Sequence, residues 1–161
     1  MKLKYYKLNR KFSIKYYEDK LFRELIKSKI INSRNQLSLN LDKCYDINDA
    51  SILVNIHTLN LKDCRNITDV SMLGNTHTLN LSFCQKITDV SMLGNIHTLI
   101  LRYCCYITDV SMLGKVHILN LSNCVNIKDV SKLGYIYELD LSNCLSIKDV
   151  SMLKNVNTLY T

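Results

Sequence analysis

From Leu37 onward the apolar residues fall into columns spaced by twenty: Leu39 to Leu139, Leu41 to Leu141, Cys44 to Cys144, Ile47 to Ile147 and Leu53 to Leu153. Two polar columns, Asp49 to Asp149 and Ser51 to Ser151, keep the same step. Six units, 37–156, align without an insertion or deletion, and a seventh begins at Asn157 and stops at Thr161. A fixed period of this length marks a solenoid, in which each unit completes its core only against its neighbours.

Within one unit the apolar set reads Ile96, Leu99, Leu101, Cys104, Ile107, Val110 and Leu113. Leu99 and Leu101 alternate with Thr98, Ile100 and Arg102, the period-two pattern of a strand with one buried face. After Cys104 the spacing becomes three, which suits a 3₁₀-like or single helical turn because side chains three apart eclipse there. Each unit is therefore expected to hold one strand, a loop, one tight helical turn and a return loop. The strands stack as a parallel sheet, about 29 Å across for six strands at ~4.8 Å each.

The leader, residues 1–36, has a different period. Tyr17, Leu21, Leu25, Ile26 and Ile30 recur every three to four residues, with Phe22 widening the stripe. This pattern predicts one amphipathic helix over 16–31 that covers the open end of the first unit, with Lys20, Lys27 and Arg34 facing solvent. At the other end, 157–161 begin a strand with no capping helix after it. An uncovered parallel edge is a template for pairing, so this tail is read as a fragment boundary, a truncated gene or a self-association contact.

The string LNLSFCQKITDVSMLGNIHTL, residues 79–99, resembles the leucine-rich repeat, L-x-x-L-x-L-x-x-N/C-x-L. Ile96, Leu99, Leu101, Cys104 and Ile107 occupy its positions, the last being Ile and one residue late. The resemblance implies an α/β leucine-rich-repeat solenoid with an N-terminal helical cap, and with it a binding scaffold. The run YYEDKLFRELIKSKIINSRNQLSLNL, residues 16–41, is similar to the segment that joins an F-box to the repeats in giant-virus F-box/leucine-rich-repeat proteins. That similarity implies the substrate-recognition part of a ubiquitin-ligase adaptor in a host cell. However, Met1 to Ser13 is too short for an F-box and has no Leu-Pro opening. One Ala, no Pro, no Trp and four Gly, beside abundant Lys, Asn, Ile and Tyr, suggest an AT-rich coding genome. A degenerate repeat duplicate is a third reading, suited by near-identical strings such as TDVSMLGN.

Charge changes the picture in one respect. The net +7 belongs to the leader, where eleven Lys/Arg stand against three Asp/Glu; residues 37–161 carry ten against eleven. Near-neutral repeats argue against a nucleic-acid partner, whose binding face would be basic. No long apolar run points to a membrane. Of the seven cysteines, six form one column whose Cβ vectors run parallel, which suits neither disulfides nor tetrahedral zinc. They are expected as a buried thiol ladder in a reducing, cytoplasmic compartment, with Cys105 as a surface thiol. The Asp column precedes V-S-x-L and is expected to accept backbone N–H groups at the start of each helical turn. Gly74, Gly94, Gly114 and Gly134 are expected to supply a positive φ at its end. His57, His77, His97 and His117 are expected as partly exposed rings stacked at the entrance to each strand, sensitive to mild acid.

No phosphate loop, nucleophile elbow or H-E-x-x-H string occurs, so neither an enzyme nor a cofactor is expected. Candidate function lies in the columns that vary: Lys62, Ser82, Arg102 and Ser122, or Asp63, Phe83, Tyr103 and Asn123. These flank the strand leucines and are expected on the inner face of the sheet. Two adjacent units concentrate Phe83, Ile100, Arg102, Tyr103 and Tyr106, residue types enriched in interface hot spots. This patch is the expected site for a protein partner.

Overall fold

The computed structural model describes residues 5–33 and 36–161. Eight strands form one parallel sheet in sequence order: β1 (Tyr5–Lys7), β2 (Gln36–Asn40), β3 (Thr58–Asn60), β4 (Thr78–Asn80), β5 (Thr98–Ile100), β6 (Ile118–Asn120), β7 (Glu138–Asp140) and β8 (Thr158–Tyr160). From β2 onward each strand pairs with the next at a shift of twenty residues, as in Leu79 against Leu99 and Leu99 against Leu119. The fold is the parallel solenoid expected from the period. The leader adds a strand that its helical period does not predict, since β1 pairs with β2 from Tyr5 against Gln36 to Lys7 against Ser38.

The spacing of three after each strand turns out to be a chain of tight turns rather than one helical segment. The amide of Cys84 donates to the Leu81 carbonyl (3.1 Å), and that of Ile87 to the Cys84 carbonyl (3.3 Å). An irregular stretch follows. Then the amide of Leu93 donates to Val90 (3.0 Å) and that of Ile96 to Leu93 (3.2 Å), closing the 3₁₀ turn Ser91–Leu93. An i+3 to i bond satisfies the backbone while returning the side chain to the same face. Leu81, Cys84, Ile87, Leu93 and Ile96 are fully buried and belong to one continuous core.

The glycines act differently from the expectation. Gly74, Gly94, Gly114 and Gly134 all have φ between −60° and −65°. Their role is close approach: a Cβ on Gly74, Gly94, Gly114 or Gly134 would run into the carbonyl oxygen of Met92, Met112, Lys132 or Met152 in the next coil. Where Val54 stands in this column the backbone is extended instead (φ −61°, ψ 147°). Positive φ occurs elsewhere, at Lys43, Asp63, Phe83, Tyr103, Asn123 and Asn143 just after each strand, and at Asn55.

The single helix expected over 16–31 is two, α1 (Arg10–Glu18) and α2 (Lys20–Ser33). Asp19 causes the break. Its backbone is extended, its amide closes α1 on Lys15, and its carboxylate accepts the amide of Phe22 (2.9 Å) to start α2. A short acidic side chain competes for backbone donors in this way and favours a cap over a helix interior. α1 provides most of the cap. Tyr16 is buried, the Ser13 hydroxyl accepts the amide of Asn40 (3.0 Å), and the Tyr17 hydroxyl donates to the Asp49 carbonyl (3.2 Å). The expected stripe is therefore rotated: Ile26 is buried, but Leu21 and Leu25 are 84% and 51% exposed. Lys20 faces solvent as expected, Lys27 is half-buried and pairs with Glu24 (3.5 Å), and Arg34 lies outside the described residues. The leader's span, 1–36, likewise includes residues 1–4, 34 and 35 beyond those described.

One core position breaks the apolar pattern. Thr76 occupies the Ile56, Ile96 and Val116 column, and its hydroxyl is buried without a hydrogen-bond partner. Thr76→Val is expected to raise stability by about 1 kcal/mol, since it removes an unanswered polar group at nearly constant shape. Gly94→Ala is expected to lower it by roughly 1–3 kcal/mol, because the Met112 carbonyl must move. Urea unfolding of the two variants beside the parent checks both signs.

Candidate partner-binding surface

The exposed side of the sheet is built from two columns per strand on either side of a buried leucine. In β5, Thr98 and Ile100 flank the buried Leu99. The second column is mostly Asn, and its side chain has a task. The Asn80 Oδ1 accepts the amide of Ser82 (2.9 Å) and its hydroxyl (2.7 Å); Asn40, Asn60, Asn120 and Asp140 likewise accept the amide two residues on. Asn and Asp favour such turns because the side-chain oxygen reaches that amide without strain. The sequence signal, Asn at each strand end two residues before a small or charged one, was open to this reading. Ile100 interrupts the column. It has no oxygen to offer, so the amide of Arg102 loses that acceptor.

The next column, Asp63 to Asn143, does not alternate with the leucines as expected. Its left-handed backbone leaves the strand pattern, so that Phe83, Tyr103 and Asn123 are half-buried, Asp63 is buried and Asn143 exposed, while the cysteine that follows each is buried. Main-chain bonding continues through it, with the amide of Phe83 donating to the Arg102 carbonyl (2.8 Å) and that of Tyr103 to Ser122 (3.0 Å). The rings of Phe83 and Tyr103 stack with centroids 4.6 Å apart and planes 16° from parallel. Cations lie over both: the Lys62 Nζ is 5.8 Å from the Phe83 centroid, and the Arg102 guanidinium 5.3 Å from that of Tyr103. Thus the structure joins Phe83, Arg102 and Tyr103 directly and places Ile100 at the end of the strand that leads to them. Tyr106 is 63% exposed in the turn beyond Cys104 and is not part of the stack.

Three further ladders run along the coils. The imidazoles of His57, His77, His97 and His117 stack at centroid distances of 4.6, 4.6 and 4.7 Å, and Tyr137 continues the row at 4.7 Å. Each Nδ1 of His57, His77 and His97 lies 3.1–3.2 Å from the hydroxyl of the following threonine. Successive planes of His57, His77 and His97 lie within 9° of each other and His117 is tilted 41° from His97; rings set one above another in this way do not converge on a common ion. In the second ladder, the buried thiols of Cys64, Cys84, Cys104, Cys124 and Cys144 each donate to a carbonyl in the preceding coil, Leu41 to Leu121, at 3.0–3.2 Å. Burial pushes the thiols of Cys64, Cys84 and Cys124 up to about 12, which suits a structural donor and not a nucleophile. Cys44, at the N-terminal end of the row, is half-buried, and the half-buried Cys105 lies 3.6 Å from the Tyr103 and Asn123 carbonyls. In the third, the Oδ1 of each Asp from Asp49 to Asp149 accepts the amide of the serine two residues on (2.8–2.9 Å). Those serine bonds hold the exposed carboxylates below their ordinary range.

Among the described residues no group of three or more His, Cys, Asp or Glu is placed to hold a metal ion, and no helix is long and apolar enough to cross a membrane. The histidine row carries a pH consequence. Partial burial, then the neighbouring rings, lowers His57 and His97 below the ordinary 6.5. The unfolded chain therefore takes up protons first, so this contribution to stability is complete above about pH 6.5 and shrinks as pH falls through the folded values. The melting temperature is expected to drop between about pH 8 and about pH 5.5 and to drop less in His77→Phe with His97→Phe. Acid loss from the Asp column is separable, since it belongs below the ordinary carboxylate value of 3.8.

No family model matches the chain, and no curated protein matches it. Solved structures do. An internalin (inlF) from Listeria monocytogenes superposes with a TM-score of 0.54 at 22% identity, over 78% of this chain and 38% of that one. Internalin C2 (inlC2) from the same organism gives 0.44 at 24%, over 78% and 66%. The functional domain of InlJ, also from Listeria monocytogenes and described as including a cysteine ladder, gives 0.28 at 18%, over 76% and 41%. The chain thus spans little more than a third of the length of the first of these. Its fold is the leucine-rich-repeat solenoid, here wound in coils of twenty residues with a 3₁₀ turn in each.

Proposed function

We propose that the solenoid is a non-enzymatic protein-binding scaffold whose partner seats on Phe83, Ile100, Arg102, Tyr103 and Tyr106. The observation that carries this reading is a pair of local costs meeting at one place. A positive φ is unfavourable for a bulky side chain and cheap for Asn or Asp, and the neighbouring coils use Asp63, Asn123 and Asn143 there. Phe83 and Tyr103 accept that strain and form a stack. In the same coil as Tyr103, Ile100 gives up the turn bond that Asn supplies in its neighbours. Local strain concentrated in this way is a mark of a surface shaped for binding rather than for stability.

The chemistry of the patch supports a protein partner. Stacked aromatic rings with cations above them give large apolar contact and directional charge together. The near-neutral charge of 37–161 supports this over a nucleic acid, which is held chiefly through its phosphates. A reducing compartment belongs to the same reading, since each buried thiol is used as an S–H donor and oxidation would remove that bond.

The test exchanges the patch for the residues of neighbouring coils: Phe83→Asn, Ile100→Asn and Tyr103→Asn in one chain. Its melting temperature is expected to hold or rise, while proteins captured by the parent chain from native cells are lost. Retention of every captured protein by the triple variant would exclude this surface as the site.

A further inference from the structure

Two apolar faces have no partner among the described residues. The first is a ridge beside the 3₁₀ turns, where Met72, Met92 and Met112 are 56%, 61% and 61% exposed, one per coil. Methionine side chains are flexible and polarisable, which suits them to contact surfaces. The ridge is held in register, because Gly74 and Gly94 pack directly on the backbone carbonyls of Met92 and Met112. Beside it run shallow clefts of about 220 Å3 each. Asp69, Asp89 and Met92 line one, and Asp89, Asp109 and Met112 line the next. On these three coils the flanking residues are Thr68, Thr88 and Thr108, whereas Lys128, Lys132 and Lys148 enter only in later coils.

The second face is the outer side of α2. Leu21 and Leu25 lie one helical turn apart, exposed, with Lys20 beside them. In α2 the Arg23 guanidinium turns back onto the Tyr16 and Tyr17 carbonyls and Lys27 pairs with Glu24, so Lys20 and Lys29 carry the helix's excess positive charge, within a leader of net +8. Bonds from Arg10 to the Asp42 carbonyl and from Tyr17 to the Asp49 carbonyl fix the cap on the first coil. Among the described residues nothing covers the two leucines.

We propose that α2 of one copy lies along the Met72–Met92–Met112 ridge of a second copy, Leu21 and Leu25 on the methionines and Lys20 toward the carboxylates of Asp69, Asp89 and Asp109. Charge decides between the ways two copies can meet. Helix against helix would oppose two basic surfaces, and ridge against ridge two rows of carboxylates; helix on ridge pairs opposite signs and covers both apolar faces. The contact is heterologous, so each pair keeps one open helix and one open ridge, and association continues into rings or chains. It uses neither Phe83 nor Tyr103 and stands apart from the partner surface described above.

Sedimentation velocity of the full chain over a concentration series tests this with two variants at exposed positions: Met92→Glu, and Leu21→Glu with Leu25→Glu. Melting curves confirm that both fold. The parent is expected to sediment faster as concentration rises, and less so in high salt, which screens the carboxylate–ammonium attraction. Each variant is expected to associate about tenfold more weakly or less, the usual effect of removing an anchor side chain. An equal mixture of the two is expected to recover a dimer that grows no further, because only one intact helix and one intact ridge can meet. A parent that stays monomeric, a Met92→Glu chain that associates like the parent, or a mixture without recovered dimer would each overturn the proposal.

Discussion

The strip of main-chain hydrogen bonds between coils controls the rest of the molecule. It runs from the strand into the left-handed position after it, as in Thr98 to His77, Leu81 to Ile100 and Phe83 to Arg102. Because the strip is parallel and in register, every side chain sits above its counterpart one strand spacing away. The stacked imidazoles, the Phe83–Tyr103 rings, the thiol row and the glycine–carbonyl contacts are consequences of that single rise. A side chain at any column is judged first by what the same column holds in the coils on either side.

This explains why so much of the core was legible from the chain. A column that is always Leu, Ile or Cys has one environment repeated, so its burial can be read without knowing the path of the backbone. The same holds for the serine-capping aspartates and the histidine stack, whose geometry follows from repetition alone. The glycine column shows the limit. Gly in a turn suggests a positive φ, but the structure uses it to admit a carbonyl from the next coil, a contact between units that the spacing within one unit does not contain. The leader was least legible because it occurs once. A helical period over 16–31 looked continuous, and only the competition of Asp19 for backbone donors divides it and rotates its buried face toward Tyr16 and Ile26.

The proposed site was legible in part, and for the opposite reason to the core. Phe83, Ile100, Arg102 and Tyr103 stood out as departures from their columns, which sequence comparison between coils reveals directly. Their geometry did not follow from the strand pattern. Period-two alternation places Arg102 outward but would send Phe83 and Tyr103 inward, and the positive φ that reverses them shows only in the backbone. Strand alternation also does not convey that the asparagine column is a set of turn-closing groups, without which Ile100 is merely another apolar residue.

The thiol row has a consequence for how such a chain can change over generations. From Cys64 onward each Sγ of the row reaches back one coil to a carbonyl that sits in the same place every time, from Leu41 under Cys64 to Leu121 under Cys144. Excising any twenty residues between two cysteines, or copying them, would join a coil to a neighbour of the same make and leave every buried thiol with its carbonyl. Recombination between near-identical gene segments can therefore lengthen or shorten the rod at little folding cost, so its length is free to drift. The order of the unusual coils is what selection would have to hold.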